Sequence, residues 1–169
     1  MEIGNKNIGS AYRPFIIAEM SGNHNKSIER ALEIVEAASA AGAHALKLQT
    51  YTADTITLDV RQDDFFIKDD NSLWDGKSLY ELYQEAHTPW EWHESIMKKA
   101  SDLGIICFST PFDETAVDFL EELDVPAYKI ASLENIHLPL IKKVASKGKP
   151  MIISTGMASI AELDEMVQT

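Results

Sequence analysis

The sequence predicts an α/β fold in which about five strands alternate with helices and form a parallel sheet. Five short apolar segments recur along the 169 residues, and an amphipathic segment follows each of them. Helix-start residues (Ser, Thr or Asp) and helix-stop glycines separate these segments. Strands that alternate with helices favour right-handed βαβ units, which place the helices outside the sheet.

The five predicted strands share an apolar beginning and a polar end. They are the segments 14–19 (PFIIAE), 43–50 (AHALKLQT), 105–111 (IICFSTP), 125–132 (VPAYKIAS) and 150–156 (PMIISTG). Their length and apolar composition are typical of strands that are covered on both faces.

The predicted helices begin at residues whose side chains accept hydrogen bonds from the first backbone N–H groups. Three segments also place Ser or Thr three residues before Glu, which is the capping-box pattern. The predicted starts are Ser27 for a helix to about Ala41, Asp113 for a helix through Leu123, a helix from about Leu138 to Lys147, and the capping boxes at 78–81, 88–91 (with Pro89 at the first helical position) and 159–162.

The polar segment from about residue 51 to residue 77 follows the second predicted strand. It contains the acidic run RQDDFFIKDDNSLWDG and is too long for a routine strand-to-helix connection. We therefore expect a functional excursion over the surface.

The composition excludes several classes of protein. A net charge of −12 argues against a general nucleic-acid or anionic-membrane binder, because both partners attract basic surfaces. No segment reaches the length of a membrane span, and the N-terminal residues lack an apolar signal core. Cys107 is the single cysteine and is interpreted as an inert, buried residue. These features predict a cytoplasmic location.

Polar residues at the ends of the five strands form the predicted functional site. In a parallel sheet all carboxyl ends lie on one side, where α/β barrels and open α/β sheets both place their sites. Two lysines and several hydroxyls suit a phosphate, and two carboxylates suit proton transfer. The residues are Glu19, Lys47, Gln49, Ser109, Thr110, Lys129, Ser132, Glu134, Ser154 and Thr155.

Each of these residues also has a purely structural interpretation. Ser109, Ser154 and Thr155 could be helix caps, Lys47 could extend its ammonium to solvent, and Glu19 could satisfy a neighbouring backbone group or lysine. His24 is predicted to order its loop by hydrogen bonding, whereas His87 and His93 are predicted at the surface. These alternatives stay open at the level of the sequence.

Five motifs resemble the sialic acid synthase family, whose members condense phosphoenolpyruvate with an amino-sugar. The motifs are FIIAEMSGNHN, ALKLQTY, FSTPFDETAVDFLEEL, YKIASLEN and ISTGMAS, and they follow the order and spacing of the family from residue 14 to residue 169. Within the family, EMSGNHN and LWDGKSLYELYQEAHTPWEWH are most similar to the pseudaminic acid synthases.

The resemblance implies a (β/α)₈ TIM barrel followed by a small antifreeze-like domain in a homodimer. Residues 1–169 would supply only the N-terminal portion of the barrel, about five βα units, without the antifreeze-like domain. It also implies a divalent metal ion, manganese or alternatively magnesium. The two histidine ligands of that metal would lie beyond Thr169, so no metal ligand is expected within this chain.

The resemblance assigns roles to the predicted site residues. Lys47, Thr110, Lys129, Ser132 and Ser154 would bind phosphoenolpyruvate. Gln49 would lie near the sugar. Glu19, Glu134 and Lys129 are the predicted catalytic residues, and the two glutamates are the unranked candidates for proton handling.

The implied reaction joins phosphoenolpyruvate to an N-acetylated amino-sugar, such as a 2,4-diacetamido-2,4,6-trideoxyhexose, and releases phosphate. The product would be a nonulosonic acid such as pseudaminic acid. Synthesis of N-acetylneuraminate or legionaminate is the alternative within the family. Outside it, the alternatives are a Schiff-base aldolase that uses Lys129 or Lys47 as the nucleophile, and a catalytically inert fragment.

Overall fold

The computed structural model describes residues 1–169 and contains two sheets. Two short strands, β1 (Glu2–Ile3) and β2 (Lys6–Asn7), form an antiparallel hairpin. Five parallel strands form the main sheet, in which strands that are consecutive in the chain are also neighbours. They are β3 (Ile17–Glu19), β4 (Ala45–Thr50), β5 (Ile106–Pro111), β6 (Tyr128–Ile130) and β7 (Met151–Ile153).

Seven α-helices lie between and after these strands. They are α1 (Ile28–Ala40), α2 (Ala53–Ile56), α3 (Leu79–Ala86), α4 (His93–Asp102), α5 (Glu114–Glu122), α6 (Leu138–Ala145) and α7 (Ile160–Gln168). Single 3₁₀ turns occur at Asp63–Phe65, Trp90–Trp92 and Glu134–Ile136. None of the helices combines the length and the apolar composition that crossing a membrane requires.

Most of the predicted helix starts are confirmed. Ser27 accepts a hydrogen bond from the backbone of Arg30, and Asp113 caps α5. The capping boxes at Ser78 and Ser159 are complete, with both reciprocal hydrogen bonds formed. Local sequence therefore sets these boundaries, since each contact joins residues within one helical turn.

The capping box predicted at 88–91 is wrong. Pro89 precedes a 3₁₀ turn, and α4 begins only at His93. Thr88 caps no helix because its hydroxyl lies 3.2 Å from His24 Nε2 in the interior. The Thr88 hydroxyl, which the sequence pattern predicted as a helix cap, instead contacts a side chain that is distant in the chain.

The strands are shorter than the predicted apolar segments. β6 has three residues, although the apolar segment begins at Val125. Val125 is buried with the side chains of α5 and α6 and so contributes to the core without pairing in the sheet. Ser132 and Ser154 consequently lie in the loops that follow β6 and β7.

The segment 51–77 folds locally beside the carboxyl ends of the strands. It contains α2, one 3₁₀ turn and a backbone pairing between Phe66 and Ser78. Ile67 closes this pairing by exchanging backbone hydrogen bonds with Lys77 and Gly76. Its predicted role as a functional excursion stays a prediction.

The two faces of the main sheet have different surroundings. One face packs against the helices, through Leu46, Leu48 and Cys107 on the α1 and α4 side. On the opposite face, here called the inner face, Ala45 and Phe108 pack with Ile3 of the hairpin. Alternation along a strand places Lys47 and Gln49 on the same face as Ala45. The inner face therefore carries apolar side chains near the amino ends of the strands and polar side chains near their carboxyl ends.

Candidate active site

Lys47 and Glu19 form an ion pair on the inner face. The register of β3 and β4 places these two residues directly opposite each other. The Lys47 side chain is 15% exposed, so it does not extend to solvent, and its Nζ lies 3.5 Å from Thr110 Oγ1. Glu19 forms an ion pair with a lysine, as its purely structural interpretation predicted. The ion pair also holds the Lys47 ammonium beside the hydroxyl of Thr110 on β5.

Lys129 lies on the same face with no carboxylate in hydrogen-bonding contact. Its Nζ donates hydrogen bonds to the carbonyl of Ile130 at 2.5 Å and to Ser154 Oγ at 2.6 Å. Burial and the positive charge of Lys47 lower the pKa of Lys129, whereas the nearby carboxylates of Glu134 and Glu19 oppose this shift. Lys47, Glu19 and Glu134 are thus all close enough to Lys129 to affect its charge, and the strand register places Lys47 and Glu19 together on the same face.

Glu134 begins the 3₁₀ turn after β6 and has an unusual environment for a carboxylate. Its Oε2 is buried and has no hydrogen-bond partner within the chain. Burial raises the pKa of Glu134, although His137 and Lys129 stabilise the ionised form. The Glu134 carboxyl therefore holds a proton more readily than an exposed glutamate does.

Asn135 orders the loop after β7, and the sequence analysis did not select it. This buried side chain donates hydrogen bonds to the carbonyls of Ser154 (3.1 Å) and Thr155 (2.7 Å). Its position directly after Glu134, in the strand-end segment, was the available signal. Ser154 is held by Lys129 and by Asn135, and neither Ser154 nor Thr155 caps a helix.

Gly156 contacts Ser132 across the same loop. Gly156 has a φ of +54°, and a Cβ at this position would lie 2.9 Å from Ser132 Cβ and 3.0 Å from the Ser132 carbonyl oxygen. The left-handed backbone favours glycine here, and the close approach to Ser132 requires it. The contact packs Ser132 against the loop after β7, and Ser132 itself is exposed.

Gln49 is oriented from the loop after β3. Its Oε1 accepts a hydrogen bond from Ser21 Oγ at 3.3 Å. Ser21 has a φ of +49°, which is an uncommon backbone conformation for a residue with a side chain. This bond leaves the amide N–H groups of Gln49 for other partners.

Behind the sheet, Thr50, His93 and Ser109 form a buried hydrogen-bond chain. Thr50 Oγ1 lies 2.9 Å from His93 Nε2 and 2.6 Å from Ser109 Oγ, and His93 Nδ1 lies 3.2 Å from the carbonyl of Pro89. Since a carbonyl only accepts, Nδ1 carries the proton, Thr50 donates to Nε2 and Ser109 donates to Thr50.

The prediction that His93 lies at the surface is therefore wrong, because its side chain is fully buried and desolvation lowers its pKa to about 4. The helix-cap interpretation of Ser109 is also wrong, since its hydroxyl is bound to Thr50. His87 is only partly buried. The three-membered chain joins β4, β5 and α4 directly behind Gln49 and Thr110.

Two further predictions about single side chains are confirmed. His24 orders its own loop, since its Nδ1 accepts from the backbone of Lys26 and its Nε2 contacts Thr88. Cys107 is a buried, unpaired thiol on the helix-facing side, and burial raises its pKa to about 12. A thiol in this state is unreactive at neutral pH.

Two cavities adjoin these groups at the carboxyl ends of the strands. One cavity of about 250 Å³ reaches from Glu134 and Ser132 to the aromatic rings of Tyr51, Tyr83 and Phe112. A second cavity of about 520 Å³ shares Tyr51 and Tyr83 with the first and is also lined by Trp74. Gln49 borders both cavities.

No group of three or more His, Cys, Asp or Glu side chains in the chain is arranged to hold a metal ion. Glu19 and Glu134 lie near Lys129, and Glu19 is paired with Lys47. The residues described here therefore do not by themselves fit a divalent metal ion.

Comparison with known proteins assigns the chain to a family. A model of the NeuB family matches residues 34–169. The chain is 48% identical over 163 residues to pseudaminic acid synthase from Campylobacter jejuni, with 96% of this chain and 46% of that protein covered. It is 38% identical over 166 residues to N,N'-diacetyllegionaminic acid synthase from Legionella pneumophila, with coverages of 98% and 46%.

The fold agrees with a solved structure of the same kind. The crystal structure of N-acetylneuraminic acid (sialic acid) synthetase from Leptospira borgpetersenii superposes with a TM-score of 0.82 at 27% identity, and the match covers 99% of this chain and 53% of that chain. The five parallel strands correspond to about half of such a TIM-barrel protein. The chain spans about half the length of the relatives that it matches, and it belongs to the NeuB family.

Proposed function

We propose that the protein condenses phosphoenolpyruvate with an N-acetylated amino-sugar to form a nonulosonic acid and release phosphate. The observation that carries this proposal is the convergence of Lys47 and Lys129 with the hydroxyls of Thr110 and Ser154 on the inner face. Phosphoenolpyruvate carries a phosphate and a carboxylate, so two ammonium groups and several hydroxyls match its charge and its acceptors.

Lys129 is the main anion-binding group in this proposal. Its ammonium has carbonyl and hydroxyl partners only, and the pKa of Lys129 is lowered by burial. A bound phosphate or carboxylate would supply the missing negative charge and raise that pKa again. Lys47, Thr110, Ser132 and Ser154 would orient the rest of the anion.

In the proposed reaction, C3 of phosphoenolpyruvate attacks the aldehyde carbon of the open-chain sugar, and water adds at C2. The resulting intermediate expels phosphate. Glu134 is our first candidate for the proton transfers, because burial raises its pKa and its Oε2 has no hydrogen-bond partner. Glu19 is the weaker candidate, because its carboxylate is already in an ion pair with Lys47. Gln49 would contact the sugar.

We further propose a 2,4-diacetamido-2,4,6-trideoxyhexose as the sugar and pseudaminic acid as the product. The higher identity to a pseudaminic acid synthase (48%) than to a legionaminic acid synthase (38%) supports this choice. Legionaminate or N-acetylneuraminate synthesis is the alternative.

The family resemblance supports several features of the whole protein. Residues 1–169 would form the N-terminal part of one TIM-barrel domain, completed by three further βα units and followed by an antifreeze-like domain in a cytoplasmic homodimer. A divalent metal ion, manganese or magnesium, would be bound by histidines outside the described residues.

Calorimetric titration of the full-length protein with phosphoenolpyruvate tests the proposal. Lys129→Ala should weaken binding at least tenfold, because hydrogen bonds to a charged group contribute about 1.5–3 kcal/mol. Lys98→Ala is the matched control, since this lysine is 72% exposed and pairs only with Asp102. Equal affinity in the wild type and in Lys129→Ala would remove Lys129 from the site.

One observation also favours a second mechanism. The lowered pKa of Lys129 is what a Schiff-base aldolase needs in its nucleophile. Borohydride reduction in the presence of pyruvate distinguishes the two mechanisms. A covalent adduct at Lys129 would support the aldolase, whereas the condensation forms no adduct.

A further inference from the structure

Residues 58–77, which form most of the excursion after β4, contribute no buried side chain to the core. Ala53 and Ser78, near the two ends of this segment, are buried. Every residue from 54 to 77 is partly or fully exposed. The buried core therefore holds the segment 58–77 only near its ends.

The backbone hydrogen bonds of the segment are internal. Residues 58–77 form backbone hydrogen bonds only with one another. The central ones join the N–H of Ile67 to the carbonyl of Lys77, and the N–H of Gly76 to the carbonyl of Ile67. Because no backbone hydrogen bond to the rest of the chain would break, the segment can move away as one unit, as regions of low local stability do.

Two ion pairs join the segment to α3. Arg61 Nη2 lies 2.5 Å from Glu81 Oε1. Lys77 Nζ lies 2.5 Å from Glu85 Oε2, and it also lies 5.0 Å from a ring centroid of Trp74, within the range of a cation–π contact. Since Glu81 and Glu85 are four residues apart, both ion pairs lie along the same side of the helix.

The segment supplies one part of the wall of the cavity of about 520 Å³. Leu73 and Trp74 are its only residues in the lining, and the others come from the loop after β3, from α1, from α3 and from the end of β4. Lys77 therefore links a residue of the cavity wall, Trp74, to a carboxylate of α3. Movement of the segment would take Leu73 and Trp74 out of this wall and open the cavity.

We propose that the segment 58–77 is a lid over this cavity, which opens as one unit and is held closed by the ion pairs of Arg61 and Lys77 with α3. The inference rests on the proposed function in one respect. The cavity borders Gln49, so the lid would open to admit the amino-sugar and close over it. Both ion pairs are exposed, and exposed ion pairs stabilise a closed state only weakly, so opening stays easy.

Hydrogen exchange of the full-length protein tests the lid. The N–H groups of Ile67 and Gly76 report its opening, because both are bonded inside the segment. Lys77→Met should raise both exchange rates roughly threefold to thirtyfold, since it removes an exposed ion pair and a cation–π contact. Glu85→Gln removes the ion pair alone and should raise them about twofold to fivefold. Lys68→Met is the matched control, because Lys68 is an exposed lysine of the same segment without an ion pair.

The proposed amino-sugar, added to the wild type, should slow the exchange of the same two N–H groups. Equal rates in Lys77→Met and Lys68→Met would overturn the inference, as would a change at Ile67 without a change at Gly76. Phosphate release from phosphoenolpyruvate is followed separately. If no amino-sugar supports release, the proposed function fails, and the comparison of Lys77→Met with Lys68→Met still decides the lid. Release without any slowing of exchange by the sugar refutes the lid alone.

Discussion

Replacing Gly156 by alanine should destabilise the protein and weaken anion binding together. The left-handed conformation of Gly156 alone makes a side chain unfavourable by about 1–2 kcal/mol. The new Cβ would also lie 2.9 Å from Ser132 Cβ and 3.0 Å from the Ser132 carbonyl oxygen. Relieving this overlap requires a movement of backbone, which typically costs about 1–3 kcal/mol. We therefore expect a total loss of about 2–5 kcal/mol.

Gly148→Ala separates the two contributions. Gly148 has a similar φ of +66°, and a Cβ there would meet no atom within 4 Å. This variant should lose only the conformational part, about 1–2 kcal/mol, and the effects on the unfolded chain should cancel between the two variants. The difference in the free energy of unfolding, about 1–3 kcal/mol, then measures the contact with Ser132.

Urea unfolding and calorimetric titration with phosphoenolpyruvate, both on the full-length protein, provide the two measurements. Gly156→Ala should lower the affinity for phosphoenolpyruvate because Ser132 is displaced, and Gly148→Ala should leave it unchanged. Equal destabilisation in the two variants would show that the contact of Gly156 with Ser132 has no energetic importance. Unchanged affinity in Gly156→Ala would argue against Ser132 as a ligand.

Thr50→Val should lower the free energy of unfolding by about 1–3 kcal/mol, because it leaves His93 Nε2 and Ser109 Oγ without their partner. Thr50→Ser keeps the hydroxyl and should leave the free energy of unfolding nearly unchanged. Equal losses of unfolding free energy in the two variants would contradict the hydrogen-bond chain. The pKa of His93 is lowered from 6.5 to about 4, so the unfolded chain binds the extra proton between these values. The free energy of unfolding should thus fall by about 1.4 kcal/mol per pH unit as the pH drops through this range, and this fall should be smaller in His93→Gln. An NMR titration that places the pKa of His93 near 6.5 would exclude the effect. Cys107 should resist iodoacetamide at pH 8 until the protein is unfolded, as peptide mapping can show, since burial raises its pKa to about 12.

The sequence by itself determined the features that depend on neighbours in the chain. The caps at Ser27, Ser78, Asp113 and Ser159 follow from contacts within one helical turn, and the parallel pairing of the strands follows from their alternation with helices. The inner-face position of Lys47 follows from alternation along a strand. Such local rules are independent of the rest of the molecule.

Only the tertiary structure decided which partner each buried polar group finds. Thr88 bonds to His24 and caps no helix, His93 is buried against Thr50, and Asn135 holds the loop after β7. These partners are 20 to 64 residues apart in the chain, and a buried donor or acceptor takes whichever partner the packing brings within reach.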